Sequence, residues 1–166
     1  MILTITLADY ANPQHCGDIG FLLDQYARDP MGGGAPLPAA VVSNVGAELG
    51  KLPYAFSLLG YVDGEPVGLV NGFESFSTFL CRKLLNIHDI FVLSRMRGRG
   101  FSQLLLTRVE ELARERGCCK LTLEVLEGNH AAQRAYRRFG FAGYELDPAQ
   151  GKALFWQKAV QSLREM

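Results

Sequence analysis

The sequence predicts a single domain of the mixed α/β (α+β) class, built on a mostly antiparallel central sheet. Three observations predict it. Three strand-like runs follow one another between residues 54 and 93, the first two joined by Asp63-Gly64, a hairpin signal that makes neighbours antiparallel. Strands and helices then alternate, which implies parallel neighbours nearer the C-terminus. The chain has 166 residues, 48% hydrophobic and 20% charged, the size and composition of one soluble domain with its own core. We place that domain over residues 1–166, with six to seven strands flanked by about four helices.

The elements follow in order. Residues 2–7 (ILTITL) alternate as a first strand. Pro13 suits the first turn of a helix running to Arg28, with Ile19, Leu22, Leu23 and Tyr26 as its apolar stripe. Residues 29–38 (DPMGGGAPLP) are a loop by their glycines and prolines, and either a plain connector or a mobile cover over a site. A second helix covers about 38–49. Strands are expected over 54–62, 66–74 and 84–93; the last is nearly continuous in apolar residues and therefore central. From Phe101, apolar residues recur at Leu105, Val109 and Leu112, a helix that Gly117 ends. Residues 120–127 (KLTLEVLE) alternate as a strand, and the next helix runs from Asn129 to Gly140. Residues 141–146 and 152–158 read as a closing strand pair around the turn DPAQG.

Charge and cysteine usage exclude several functions. Seventeen basic and seventeen acidic residues cancel, whereas a general nucleic-acid binder needs a cationic excess. The expectation is no nucleic-acid partner and no membrane, because no apolar run reaches spanning length. The first residues lack the basic start and long apolar run of a secretion signal. Cysteines 16, 81, 118 and 119 lack C-x-x-C spacing, so reduced thiols in a cytoplasmic protein are expected. Cys118 and Cys119 are read as buried thiols, because no His or Asn partner marks either as a nucleophile. His15 and Cys16 adjoin but lack the further ligands a metal needs, so no metal is expected.

The strongest chemical feature is Arg97-Gly98-Arg99-Gly100-Phe101-Ser102, between a strand and a helix. Glycines there let a ligand approach the backbone, and the new helix offers free N–H groups and a positive dipole end, which together suit phosphate. Residues 95–117 hold six arginines against three glutamates. A P-loop is absent, and a dinucleotide fingerprint would need Gly or Ala where Gln103 stands, so a nucleotide-binding module of Rossmann type is the weaker reading.

This segment resembles the pyrophosphate-binding signature of the GNAT superfamily of acyl-CoA-dependent N-acetyltransferases, [QR]-x-x-G-x-[GA]. Arg97 is its first position and Gly100 its glycine; Ser102 departs to another small residue. Asn129-His130-Ala131-Ala132, then Tyr136, then Phe139-Gly140-Phe141 resembles the family's second segment. The resemblance implies acetyl-CoA as cosubstrate, in a cleft where a parallel strand pair splays. It implies that backbone groups of Ile90 and Val92 bond the pantetheine arm, that the amides of Arg97, Gly98, Arg99, Gly100, Phe101 and Ser102 hold the pyrophosphate, and that Asn129 contacts the pantetheine. Tyr136 would protonate the departing thiolate, within reach of a phenol of ordinary pKa about 10; by position alone it reads equally as a core aromatic.

The acceptor amine must lose a proton, so a base is useful. His88 is the first candidate, since imidazole ordinarily titrates near neutral pH. Residues 87–92 (IHDIFV) resemble a strand of arylalkylamine acetyltransferases that carries a catalytic histidine, and are similar to the L-E-D-x-x-V of diamine acetyltransferases, where glutamate takes that place. A satisfied core histidine is the plain alternative. Glu124 is second and Glu74 third. Asp89 faces away from His88 on an ideal strand and reads as structural. The acceptor is expected to be a small primary amine, its site built from the first helices, the Met31–Gly34 loop and residues 73–78, with Asp24, Asp29 and Glu74 suiting its charge. Rivals are a protein N-terminus or lysine as acceptor, or a catalytically silent acyl-CoA-binding module. A homodimer is a possible assembly.

Overall fold

A computed structural model describes residues 2–160; residue 1 and residues 161–166, within the single domain read from the sequence, lie outside the described residues. Strand β1 (Leu3–Leu7) leads into helix α1 (Pro13–Arg28), a 3-10 turn at Pro30–Gly32 and helix α2 (Ala39–Gly50). Strands β2 (Ala55–Val62), β3 (Glu65–Ser77) and β4 (Arg82–Val92) form the meander, followed by α3 (Phe101–Glu115), β5 (Leu121–Leu123) and α4 (His130–Phe139). The sheet runs β1-β2-β3-β4-β5, antiparallel except for the last, parallel pair.

Local chemistry accounts for the element ends. The Asn12 side chain accepts the Gln14 N–H at 2.9 Å, and Pro13 follows it, so α1 starts with an orphan amide satisfied and a preset φ. Asp63 and Gly64 both take positive φ, +50° and +86°, which the tight hairpin between β2 and β3 demands. Helix α3 buries Phe101, Leu105, Leu106, Val109, Leu112 and Ala113, one stripe of a 3.6-residue repeat.

The helices take opposite faces of the sheet. Leu105 of α3 comes to 3.1 Å from where a Cβ on Gly68 would stand, so the even-numbered residues of β3 face α3. Asn71 and Phe73, the odd-numbered residues, face α1 and α2. Those two helices approach very closely: a Cβ on Gly20 would run into the Val42 carbonyl, and one on Gly46 into the Cys16 backbone at 2.6 Å.

A β-bulge interrupts β4. Asn71 pairs with Asp89 and Gly72 with Ile87, so His88 is the extra residue. Opposite it, a Cβ on Gly72 would strike the Phe56 ring and stand 2.6 Å from the Asn86 carbonyl.

One expectation needs correction. The closing strands over 141–146 and 152–158 do not form, and the sheet has five strands among the described residues rather than six or seven. The regular structure described in that segment is a 3-10 turn, Pro148–Gln150, and the Ala153 N–H bonds to the Tyr144 carbonyl at 3.2 Å. Leu154, Phe155 and Trp156 are all exposed, so no buried apolar face anchors this segment to the sheet. No helix of the described residues is long and apolar enough to cross a membrane.

Candidate active site

The first half of the site is an edge and a turn. β4 and β5 pair only over Leu85–Ile87 and Leu121–Leu123, after which β4 continues without that neighbour. The Leu93 N–H donates to Val67 at 2.9 Å, so Leu93 and, two residues earlier, Phe91 face β3. In a ladder the intervening residues face the other way, which turns the main-chain groups of Ile90 and Val92 toward the open side. The chain then reaches the glycine turn. Gly98 and Gly100 have φ of +74° and +83°, and a Cβ on either would meet nothing within 4 Å. Gly100 is the N-cap of α3, and no side chain caps that end. The amides from Gly98 to Ser102 therefore surround open space at the positive end of a long helix, a donor set that fits a pyrophosphate.

Arg97 does something else. Its Nε donates to the Val92 carbonyl at 2.9 Å, its Nη2 to Asp29 at 2.8 Å, and its guanidinium lies over the Phe91 ring at 5.4 Å. The side chain ties the turn to β4 and to the loop after α1. Arg95 and Arg99 stand exposed and keep the turn basic.

The second half is a cavity of about 390 Å³ on the other side of β4. Leu23, Tyr26 and Ala27 of α1 and Val41, Val45 and Leu49 of α2 wall it. Gly32 and Leu37 close one side, and Asn71, Phe73, His88 and Asp89 form the sheet side. The exposed His88 ring meets Phe73 edge-on, centroids 5.6 Å apart. Asp89 was expected to face away; the bulge instead brings it into the cavity beside His88, because an extra residue reverses the alternation.

Tyr136 of α4 is half-buried, edge-on to Phe141 at 6.0 Å. Burial first, and the nearby Tyr26 phenol second, push its pKa up to about 12. Tyr26 is also raised, by burial and then by the carboxylates of Asp89 and Asp29. Tyr26 thus stands electrostatically between Tyr136 and Asp89. Asn129 caps α4, its Oδ1 accepting the Ala132 N–H at 3.1 Å.

The remaining candidates lie elsewhere. Glu124 is exposed beyond the end of β5, accepting from the Asn86 Nδ2 at 3.3 Å, and does not line the cavity. Glu74 lies on the α3 face, bridged to Lys83 at 2.7 Å with Arg116 at 4.0 Å. Asp24 and Asp29 are committed to Arg28 and Arg97, at 2.7 and 2.8 Å. None of the three expected acids is the cavity's anion; Asp89 is. Cys118 and Cys119 are half-buried rather than buried, and burial raises the Cys118 thiol, the wrong direction for a nucleophile. Among the described residues no cluster of His, Cys, Asp and Glu could hold a metal ion.

Sequence reasoning missed Asn71 and Tyr26. A signal for Asn71 existed, since an amide inside the apolar run of residues 67–73 must find partners once buried. Tyr26 carried none beyond helical spacing.

Solved structures share this fold. An aminoglycoside N-acetyltransferase AAC(6')-Iy in complex with CoA superposes with a TM-score of 0.75 at 19% identity, over 96% of each chain. A ribosomal-protein-alanine N-acetyltransferase from Brucella melitensis biovar Abortus 2308 gives 0.71 at 20% identity, over 98% of this chain and 100% of that one. Residues 37–141 match the acetyltransferase (GNAT) family, and the chain belongs to it. Streptothricin acetyltransferase of Streptomyces lavendulae is 42% identical over 88 residues, 52% of this chain and 47% of that protein. Thialysine N-epsilon-acetyltransferase of Bos taurus is 32% identical over 110 residues, 61% of this chain and 63% of that protein. The chain thus spans less than two thirds of either relative.

Proposed function

We propose that the protein is an acetyl-CoA-dependent N-acetyltransferase acting on a small primary amine by direct transfer. The observation that carries this reading is the placement of two unlike half-sites on either side of the β4 bulge. One is a run of backbone donors suited to a pyrophosphate and an extended amide arm; the other is a cavity ending in His88 and Asp89. Matches to named acetyltransferases support it.

Acetyl-CoA, when bound, supplies an acetyl thioester whose carbonyl carbon gains a bond to the amine nitrogen as its carbon–sulfur bond breaks. The amides of Gly98 to Ser102 bind its pyrophosphate, and the main chain of Ile90 and Val92 aligns the arm. His88 accepts the proton that the amine sheds. Tyr136, its phenol protonated across the working pH range because its pKa stands near 12, gives a proton to the leaving sulfur and regains it from solvent. Asn129 caps the start of α4 and so helps place Tyr136, which stands about two turns further along the same face.

Calorimetric titration with acetyl-CoA, using NAD and ATP as controls, tests the first half-site. Release of coenzyme A thiol on adding a panel of primary amines tests the second. Selective acetyl-CoA binding with amine-dependent thiol release is expected. Binding of NAD or ATP without acetyl-CoA would overturn the reading.

A further inference from the structure

We infer that the acceptor is an amine with an apolar body, whose ammonium sits on Asp89. The inference rests on the transferase reading and deepens it. Leu23, Leu37, Val41, Val45, Leu49 and Phe73 line most of the cavity, and they offer no hydrogen bonds to hydroxyl or guanidine groups. A polyhydroxylated or multiply charged amine would enter such a wall at the cost of its hydration. An alkyl or arylalkyl chain would gain from it.

The polar end of the cavity presents one carboxylate, that of Asp89. Asp89 is held by a row of side chains that crosses three strands in register. Ser57 pairs with Asn71 and Asn71 with Asp89, so all three project from the same face. The Ser57 Oγ donates to Asn71 Oδ1 at 2.7 Å, which turns Asn71 Nδ2 to Asp89 Oδ2 at 3.0 Å. The single Ser57 proton being committed, the Tyr10 hydroxyl must be the donor in their 2.9 Å bond. Every donor in the row therefore points toward Asp89, the polarity a carboxylate needs. An amide cannot pass a proton along as a hydroxyl can, so the row positions Asp89 rather than supplying it with protons. Ser57 and Asn71 are fully buried, and the row is correspondingly rigid. Among the described residues no arginine or lysine pairs with Asp89, in contrast to Asp24, Asp29 and Glu74. A carboxylate at the end of an apolar cavity, held by neutral donors and without a cation, is a seat for a cation from outside.

The test uses the whole chain and two readouts. Direct calorimetric titration of the protein, without acetyl-CoA, with straight-chain primary amines of increasing length and with glucosamine is the first. Affinity should rise about fourfold per added methylene until the cavity is full, and glucosamine should bind more weakly than hexylamine. The second is kcat/KM for the same amines with acetyl-CoA, which should follow the same ladder. Asp89→Asn, checked as folded by its thermal transition and its retained acetyl-CoA binding, should lose about tenfold or more in amine affinity, as expected where a charged partner is removed. Asn71→Asp, which sets a second carboxylate against Asp89, should alter the pH dependence of amine binding. Turnover with a flat ladder, or with glucosamine preferred, overturns this inference and leaves the transferase reading standing. An apolar ladder in binding with no turnover of any amine overturns the transferase reading and leaves the cavity assignment intact. Unchanged amine affinity in Asp89→Asn removes Asp89 as the seat.

Discussion

Gly100→Ala, compared with Gly117→Ala, separates what the glycine turn does for the fold from what it does for a ligand. Both glycines hold positive φ, +83° and +70°, and a Cβ at either meets nothing within 4 Å. Neither alanine clashes, so both variants carry the same backbone cost. A left-handed alanine costs about 1–2 kcal/mol, and the less flexible unfolded chain returns about 0.4–1 kcal/mol. The net is about 1 kcal/mol for each, or a fall of about 2–4 °C in Tm for a chain of this size. The positions differ in what they face. Gly117 follows the C-terminus of α3, whereas Gly100 caps its N-terminus among the open amides. A methyl group at Gly100 would displace one charge-assisted bond, worth about 1.5–3 kcal/mol, and weaken acetyl-CoA binding by about tenfold to a hundredfold. Differential scanning calorimetry and isothermal titration of both variants, well below their transitions, measure the two quantities. Equal losses of Tm with affinity lost only in Gly100→Ala are expected. Wild-type affinity in Gly100→Ala would refute the placement of the pyrophosphate on this turn, and equal loss of affinity in both would show an effect transmitted through stability.

Two further variants probe the proton transfers. Tyr136→Phe should lower kcat by about 10²–10⁴-fold, the range for a lost general acid, with acetyl-CoA affinity unchanged in titration; an unchanged kcat would take Tyr136 out of the chemistry. The same variant has a pH signature in stability. The folded pKa of Tyr136, about 12, lies above its ordinary value of 10.0, so its neutral form contributes stability that is complete below pH 10 and lost as pH rises toward 12. Tyr136→Phe should therefore flatten the alkaline fall in Tm over that window. For His88→Ala, kcat/KM should fall by about 10²-fold or more, with acetyl-CoA affinity unchanged in titration. An unchanged kcat/KM would take His88 out of the proton transfer.

Legibility in the sequence followed the range of the interactions involved. Asn12-Pro13, Asp63-Gly64, and the apolar repeat of α3 act over a few residues, and each element they mark stands where the sequence placed it. The glycine turn is equally local, and its open amides follow from two positive-φ residues before a helix. The acceptor side depends on pairing instead. Whether Asp89 shares a face with His88 is decided by the register of β4 on β3, where Gly72 pairs with Ile87 and leaves His88 over. Nothing in residues 87–92 alone reveals that bulge, so strict alternation sent Asp89 to the wrong face. Asp29 was misjudged for the same kind of reason, since its partner, Arg97, lies 68 positions away. The strands expected over 141–146 and 152–158 had the right local pattern but find no buried face among the described residues.

That distant pair also explains how the two half-sites hold their relative positions. Arg97 occupies the first place of the signature, where its charge invites assignment to the phosphate, yet all its contacts are internal. Its guanidinium lies on Phe91 at 5.4 Å, and Phe91 stacks on Tyr26 at 5.5 Å, with 27° between the rings. Tyr26 lines the cavity and lies close enough to Tyr136 to influence its phenol. A continuous stack therefore runs from the phosphate turn, across the β4 edge, to the cavity wall. The cation–π contact contributes about 0.5–1 kcal/mol where exposed, and the bonds to Val92 and Asp29 fix its geometry. Because β4 carries Phe91 between Ile90 and Val92, the same stack holds the edge whose backbone would align the pantetheine arm. The glycine turn, the β4 edge and the cavity wall are thus tied to one another through the Arg97 side chain, so Arg97 at the first place of the signature braces that geometry whatever else its guanidinium meets.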